Sequence, residues 1–252
     1  MQPDDRCSRA YLTTSWDDGH PLDLRLADLL QKYGIPATFY VPRHNILPVV
    51  DAGNIRELAK MFEIGGHTLN HTDLLLVDDG TASAEIAGCR TALQDITGVA
   101  CRSFCFPKGH YRRSHIAYVR DAGFTTARTV ELMSIAAPRE REGVAMMATT
   151  IQAHPTPAFG VLRNIAKRAA FAGALNYIRC GRTDWTKTAE ALLDHVVKHG
   201  GIFHLWGHSW EIDERGEWGA LERVFAAISG RKERLYCVSN GGLCAALEQE
   251  IS

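Results

Sequence analysis

Residues 11–41 read "YLTTSWDDGHPLDLRLADLLQKYGIPATFYV", and this stretch decides the fold. "YLTTSW" (11–16) has the character of a strand. From Pro21 to Gly34 the residues Leu22, Leu26, Leu29, Leu30 and Tyr33 recur at helical steps. Pro21 suits the first turn and Gly34 the stop. "ATFYV" (37–41) is a second strand. Strand, helix and strand in about thirty residues make a βαβ unit, which forces a parallel pair.

The alternation continues outward. Residues 54–62 read as a helix, "FEIGG" as a short strand and 83–97 as a helix stopped by Gly98. "SFCF" (103–106) is a strand, 114–122 a helix and "FTTAR" (124–128) a strand. Residues 129–158 read as irregular. Helices follow at about 159–179 and 184–199, then "GIFHLW" (201–206), a helix over 217–229, "LYCVS" (235–239) and a closing helix to about 249. About seven such units in one domain, residues 1–252, favour a closed or nearly closed barrel of parallel strands over an open sheet.

Bulk composition narrows the function. The chain has 252 residues, 46% hydrophobic and 23% charged, with a net charge of −1, so nothing points to nucleic acid. No apolar run is long enough for a transmembrane helix. The first residues lack the basic and apolar regions of a secretory signal. The seven cysteines, at 7, 89, 101, 105, 180, 237 and 244, form no CxxC and read as reduced thiols. These observations predict a cytoplasmic protein.

In a barrel, chemistry gathers at the C-terminal strand ends. Asp17 and Asp18 follow the first strand, and His67 and His71, in "GGHTLNH" (65–71), follow the third. Pro107, Lys108 and Gly109 follow "SFCF", Arg128 ends "FTTAR", and His208, Trp210 and Glu211 follow "GIFHLW". Two histidines four residues apart can share one metal ion, though two unrelated polar histidines give the same spacing. Position 68 is Thr, where a zincin needs its glutamate base. One carboxylate of the Asp17–Asp18 pair with two imidazoles makes a facial ligand set. The other carboxylate then stays free to take a proton from water.

These motifs together resemble the polysaccharide deacetylases, the NodB-homology domains of carbohydrate esterase family 4. The family's T-F-D-D-G stands here as "SWDDG" (15–19), and its H-[ST]-x-x-H as "HTLNH" (67–71). Its P-x-G turn is "FCFPKG" (104–109), and "HSWEID" (208–213) resembles the late-histidine motif of its exopolysaccharide-type members. "GIPATFYV" (34–41) is also typical. The resemblance spans roughly residues 11–245. It implies a deformed (β/α) barrel and a divalent metal, usually zinc, held by Asp18, His67 and His71. It implies Asp17 as general base and His208 as general acid. A backbone N–H of the Pro107–Lys108–Gly109 turn, near Lys108, would hold the oxyanion.

Two departures stand out. The family's third motif carries an arginine that pairs with the catalytic aspartate, and that position here is Cys105. The Asp and Trp of its fourth motif are absent from "TTARTVELMSI" (125–135). Arg128, at the end of the neighbouring strand, is the visible substitute that would lower the pKa of Asp17, unless it is an ordinary surface arginine. Trp210 is read as a wall of the sugar pocket and Glu211 as a support for His208. His154, in a Pro-rich loop, is given no role.

From Gly143 to Thr183 there is no acidic residue, while Arg163, Lys167, Arg168, Arg179 and Arg182 are basic. A basic amphipathic helix there could rest on an anionic membrane surface, or be a barrel helix with a solvated face. The expected activity is metal-dependent removal of an N-acyl group, most simply acetyl, from an amino sugar. The carbohydrate would be a glycan, a lipid-linked saccharide or a sugar precursor. Two other readings stand beside it: a hydrolase of a small cyclic amide or ureide on the same barrel, and a carbohydrate-binding module without catalysis.

Overall fold

The structure, a computed structural model, describes residues 9–155 and 184–251. The helix expected at 159–179, with its basic face, lies outside them, as do Cys7 and Cys180. Among the described residues ten strands form one sheet. They are β1 (Ala10–Asp17), β2 (Thr38–Val41), β3 (Glu63–Gly66), β4 (Ser103–Cys105), β5 (Thr126–Arg128), β6 (Arg139–Arg141), β7 (Val144–Met147), β8 (Ile151–Gln152), β9 (Gly201–Gly207) and β10 (Tyr236–Cys237). The helices are α1 (Asp23–Tyr33), α2 (Ala52–Ala59), α3 (Asp79–Thr97), α4 (Arg113–Asp121), α5 (Trp185–His199), α6 (Ser209–Glu214), α7 (Trp218–Ser229) and α8 (Asn240–Ile251). Sheet order is β6-β7-β5-β4-β3-β2-β1-β9-β8, with β10 beside β1. All pairings are parallel except β6 with β7. The sheet curls into a deformed barrel, as the alternation of strands and helices predicts.

Two parts differ from the sequence reading. The stretch taken as irregular holds β6, β7 and β8. A tight turn at Glu142 and Gly143, both with positive φ (53° and 80°), folds β6 back on β7. The fully exposed "RER" of β6 gives no apolar signal, so the hairpin stays hidden. β7 pairs with β5, and β8, four residues on, pairs with β9. Residues 144–152 therefore join both flanks of the curled sheet. "LYCVS" contributes only two strand residues, which pair with Tyr11 and Leu12 below the point where β2 begins.

β1 lies between β9 and β2, and its residues from Tyr11 onward are all buried. Leu12 and Trp16 face the helices, where Trp16 meets Phe225 of α7 edge-on, ring centroids 6.2 Å apart. Thr13, Ser15 and Asp17 face the polar barrel interior. Thr13 donates to Asn240 Oδ1 at 2.7 Å, and Ser15 Oγ lies 2.8 Å from His204 Nε2. At the base, the Glu63 carboxylate accepts from Thr38, Ser103 and the Gly241 N–H. Such pairing is what lets polar groups lie inside a core. It also leaves Asp17 as the interior-facing residue at the upper end of β1.

Candidate active site

Asp17 and Asp18 sit where β1 turns toward α1. Asp18 has φ 76° and Gly19 φ 59°. A β-carbon on Gly19 would lie 2.7 Å from Val41 Cγ1, so this turn needs glycine. The next loop, after β3, is also strained, with Thr68 at φ 60° and His71 at φ 52°. Thr68 Oγ1 accepts the Thr72 N–H at 2.8 Å and closes this loop.

The two loops meet. His67 Nε2 lies 3.6 Å and His71 Nε2 3.1 Å from Asp18 Oδ1. His67 Nδ1 donates to the Cys105 carbonyl at 2.8 Å, which leaves its Nε2 lone pair facing Asp18. Trp210 Nε1 donates to Asp18 Oδ2 at 2.9 Å. Asp18 Oδ1, although buried, has no hydrogen-bond partner among the described residues. A buried carboxylate oxygen faced by two imidazole nitrogens is an arrangement that a cation between them would complete. The donor set of one carboxylate and two imidazoles fits a divalent metal such as zinc.

Asp17 is 3% exposed. One guanidinium nitrogen of Arg128, Nη2, contacts both of its carboxylate oxygens. Arg128 is fully buried, with its guanidinium 4.5 Å from the Trp206 ring centroid and 5.4 Å from that of Tyr40. Burial alone would raise the Asp17 pKa. Arg128, by its charge and its hydrogen bond, together with His208, outweighs it and holds the carboxyl below its usual range. The Cys105 thiol, 3.8 Å from Asp17 Oδ2, is pushed well up by burial, so it stays a neutral donor.

His208 sits between the carboxylates and its own support. Its Nδ1 donates to Glu211 Oε2 at 2.6 Å, and its Nε2 lies 3.9 Å from Asp17 Oδ2. Burial disfavours its charge, but the Glu211 bond, with Asp17 and Asp18, raises its pKa above the ordinary value. His154 Nε2 lies 3.6 Å from Glu211 Oε2, a contact that the sequence did not suggest.

A cleft of about 460 Å³ opens above these groups. Its walls include Asp17, Asp18, His67, His71, Lys108 and Trp210. Lys108 has φ 57°, and the Gly109 and His110 N–H groups close its turn onto Phe106 and Pro107, leaving the Lys108 N–H out of that pairing. Pro107 is buried beneath the turn and does not line the cleft. Arg128 and Glu211 stand behind Asp17 and His208. Sequence reasoning missed Val130, Leu132 and Gln152 in the wall, which fall in or beside the stretch read as irregular. The apolar alternation at Val130 and Leu132 was the one available signal.

Residues 4–127 match the family model described as polysaccharide deacetylase. Those residues carry the polysaccharide deacetylase signature of the NodB-homology type. Solved structures with related folds include one from Mycobacterium smegmatis assigned to the polysaccharide deacetylases. It has TM-score 0.68 and 16% identity, over 99% of this chain and 93% of that one. The chitin deacetylase of Colletotrichum lindemuthianum has TM-score 0.60 and 15% identity over 94% and 89%. A family 4 carbohydrate esterase of Bacillus anthracis has TM-score 0.58 and 15% identity over 95% and 85%. At these identities the likeness shows the shared fold. A search of curated proteins returns no match. Among the described residues no helix is long and apolar enough to cross a membrane.

Proposed function

We propose that the protein is a metal-dependent hydrolase that removes an N-acyl group, acetyl first, from an amino sugar, with residues 1–252 acting as one catalytic domain. The observation that carries this reading is the buried, partnerless Asp18 Oδ1 facing the Nε2 atoms of His67 and His71. These three residues would hold the cation, most suitably zinc. A divalent cation held there would supply polarisation of the amide carbonyl and a lowered pKa for water.

The chain's own groups supply the rest. Asp17, kept ionised by Arg128, takes a proton from the attacking water. Arg128 fills the part of the arginine that Cys105 displaces. The Lys108 N–H, at the rim of the cleft and above Pro107, receives the developing oxyanion. His208, held by Glu211, gives a proton to the leaving nitrogen as the C–N bond breaks. Acetate and a free amine leave. Trp210 orients Asp18 through its indole N–H and offers its ring as one wall for the sugar. The free cysteines Cys89, Cys101, Cys105, Cys237 and Cys244 favour a reducing compartment, the cytoplasm. That points to a glycan precursor, a lipid-linked saccharide or a nucleotide sugar. Contact of the 159–179 segment with anionic lipid belongs to the same proposal.

Acetate release should be measured across N-acetylated nucleotide sugars, lipid-linked saccharides and chitooligosaccharides. Zinc-loaded protein should release acetate from one class, and Asp17→Asn should keep the metal and lose hydrolysis. An Asp17→Asn variant as fast as wild type would overturn the base assignment. Wild type that binds no metal would overturn the whole reading.

A further inference from the structure

The ligand loop is gripped from outside by a carboxylate that no motif contains. Glu85 lies in the second turn of α3, on its buried face, and is 8% exposed. Its Oε2 accepts the backbone N–H of Asn70 at 2.9 Å, and its Oε1 accepts the Asn70 side-chain amide at 2.5 Å. Its main-chain carbonyl accepts the Leu69 N–H at 3.0 Å. The Leu69 carbonyl in turn accepts the Arg43 and His44 N–H groups, both at 2.9 Å, from the loop after β2. One residue thus takes three hydrogen bonds from Leu69 and Asn70, two of the three residues between His67 and His71.

We infer that Glu85 is a positioning residue that sets the affinity of the Asp18–His67–His71 site by holding the His67–His71 loop in its strained form. The inference rests on the metal reading above. Thr68 and His71 both have positive φ without being glycine, a strained backbone form that persists only where neighbours enforce it. His67 is fixed from its own side by Cys105. Among the described residues His71 has no comparable clamp; it is the more open of the two and follows Asn70 directly. The grip on Asn70 therefore bears on the placement of the His71 ring. Hydrogen bonds to a buried carboxylate are short and strong, which suits a clamp. Groups that orient metal ligands from behind commonly carry 10- to 100-fold of the metal affinity.

The test is zinc affinity of the full chain, by competition with a chromophoric chelator, for wild type, Glu85→Gln, Glu85→Ala and Asn70→Ala. Glu85→Gln keeps the shape but turns an amide N–H₂ toward one of the two donors. It should weaken zinc about 10-fold. Glu85→Ala should weaken it about 10- to 100-fold, and Asn70→Ala, which keeps the backbone bond, by less than Glu85→Ala. The visible spectrum of the cobalt-substituted protein should change in both Glu85 variants, a signature that a loss of general stability does not produce. If Glu85→Ala fails to fold, Glu85→Gln and Asn70→Ala still decide. Zinc affinities within twofold of wild type and unchanged cobalt spectra in the folded variants would overturn the inference. Wild type without zinc affinity would instead overturn the metal reading, so the two failures are distinct.

Discussion

The pairing of Asp17 with Arg128 places two charges in contact inside the barrel. Two opposite charges lie out of water, and each is tolerated because of the other. Breaking such a pair from one side costs about 3–5 kcal/mol. Arg128→Ala should therefore lower stability by about that much, read as the urea midpoint, and abolish turnover. His208 gives a second test. Its raised pKa depends in part on the Glu211 carboxylate. A group needed in its protonated form is lost as pH rises through its pKa. Glu211→Gln should lower that pKa and move the alkaline limb of kcat to lower pH, with the acid limb unmoved. At this scale the sequence was generous. Asp17, Asp18, His67, His71 and His208 each lie in a short motif at a strand end. The Trp210–Asp18 bond was not legible, because it joins residues 192 positions apart and no spacing rule reaches that far.

Among the elements, strand register explains how the charge beside Asp17 is delivered. Cys105 of β4 pairs directly with Arg128 of β5. An arginine at either position starts from the same height in the barrel, one strand apart. Moving it back, as Cys105→Arg with Arg128→Ser, should recover part of the stability and activity that Arg128→Ser alone removes, measured as a double-mutant comparison. The α1–α6 contact gives a pH test. Asp23 at the start of α1 is fully buried, accepts from Ser209 of α6 at 2.5 Å, and burial pushes its pKa up to about 8. The folded state thus holds a proton that the unfolded state releases near pH 4. Stability tied to Asp23 is full below about pH 4 and falls as pH rises toward about 8. Asp23→Asn should flatten that part of the curve, read by denaturant midpoints between pH 5 and 8. The βα alternation was plain in the periodicity of residues 11–41. The β6–β7 hairpin was not, since its charged edge strand and Glu-Gly turn carry neither an apolar alternation nor a common turn signal.

For the molecule as a whole, the site and the scaffold are one object. The β3–β4 ladder has a single registered pair, Gly66 with Phe104, and the bond from His67 to the Cys105 carbonyl reinforces it just above. Asp18 stands at the end of β1, so a cation on Asp18, His67 and His71 would link loops from two strands and steady a third. Zinc at 100 times its Kd should add about 2.7 kcal/mol, and a chelator should lower the melting temperature accordingly, with recovery on adding zinc back. Chain order predicted the barrel because each βα unit carries its own periodicity. It did not show how residues 144–152 join the flanks, because that closure depends on what two distant strands leave unpaired. The Cys105–Arg128 register also bears on how such proteins are recognised. A search written as letters along one motif scores this chain as lacking its arginine. A search written as rungs, asking which charges stand at the level of the first strand's last carboxylate, finds an arginine, Arg128, one rail over. On the proposed reading of Arg128, the site asks for a charge at that height rather than on one particular strand.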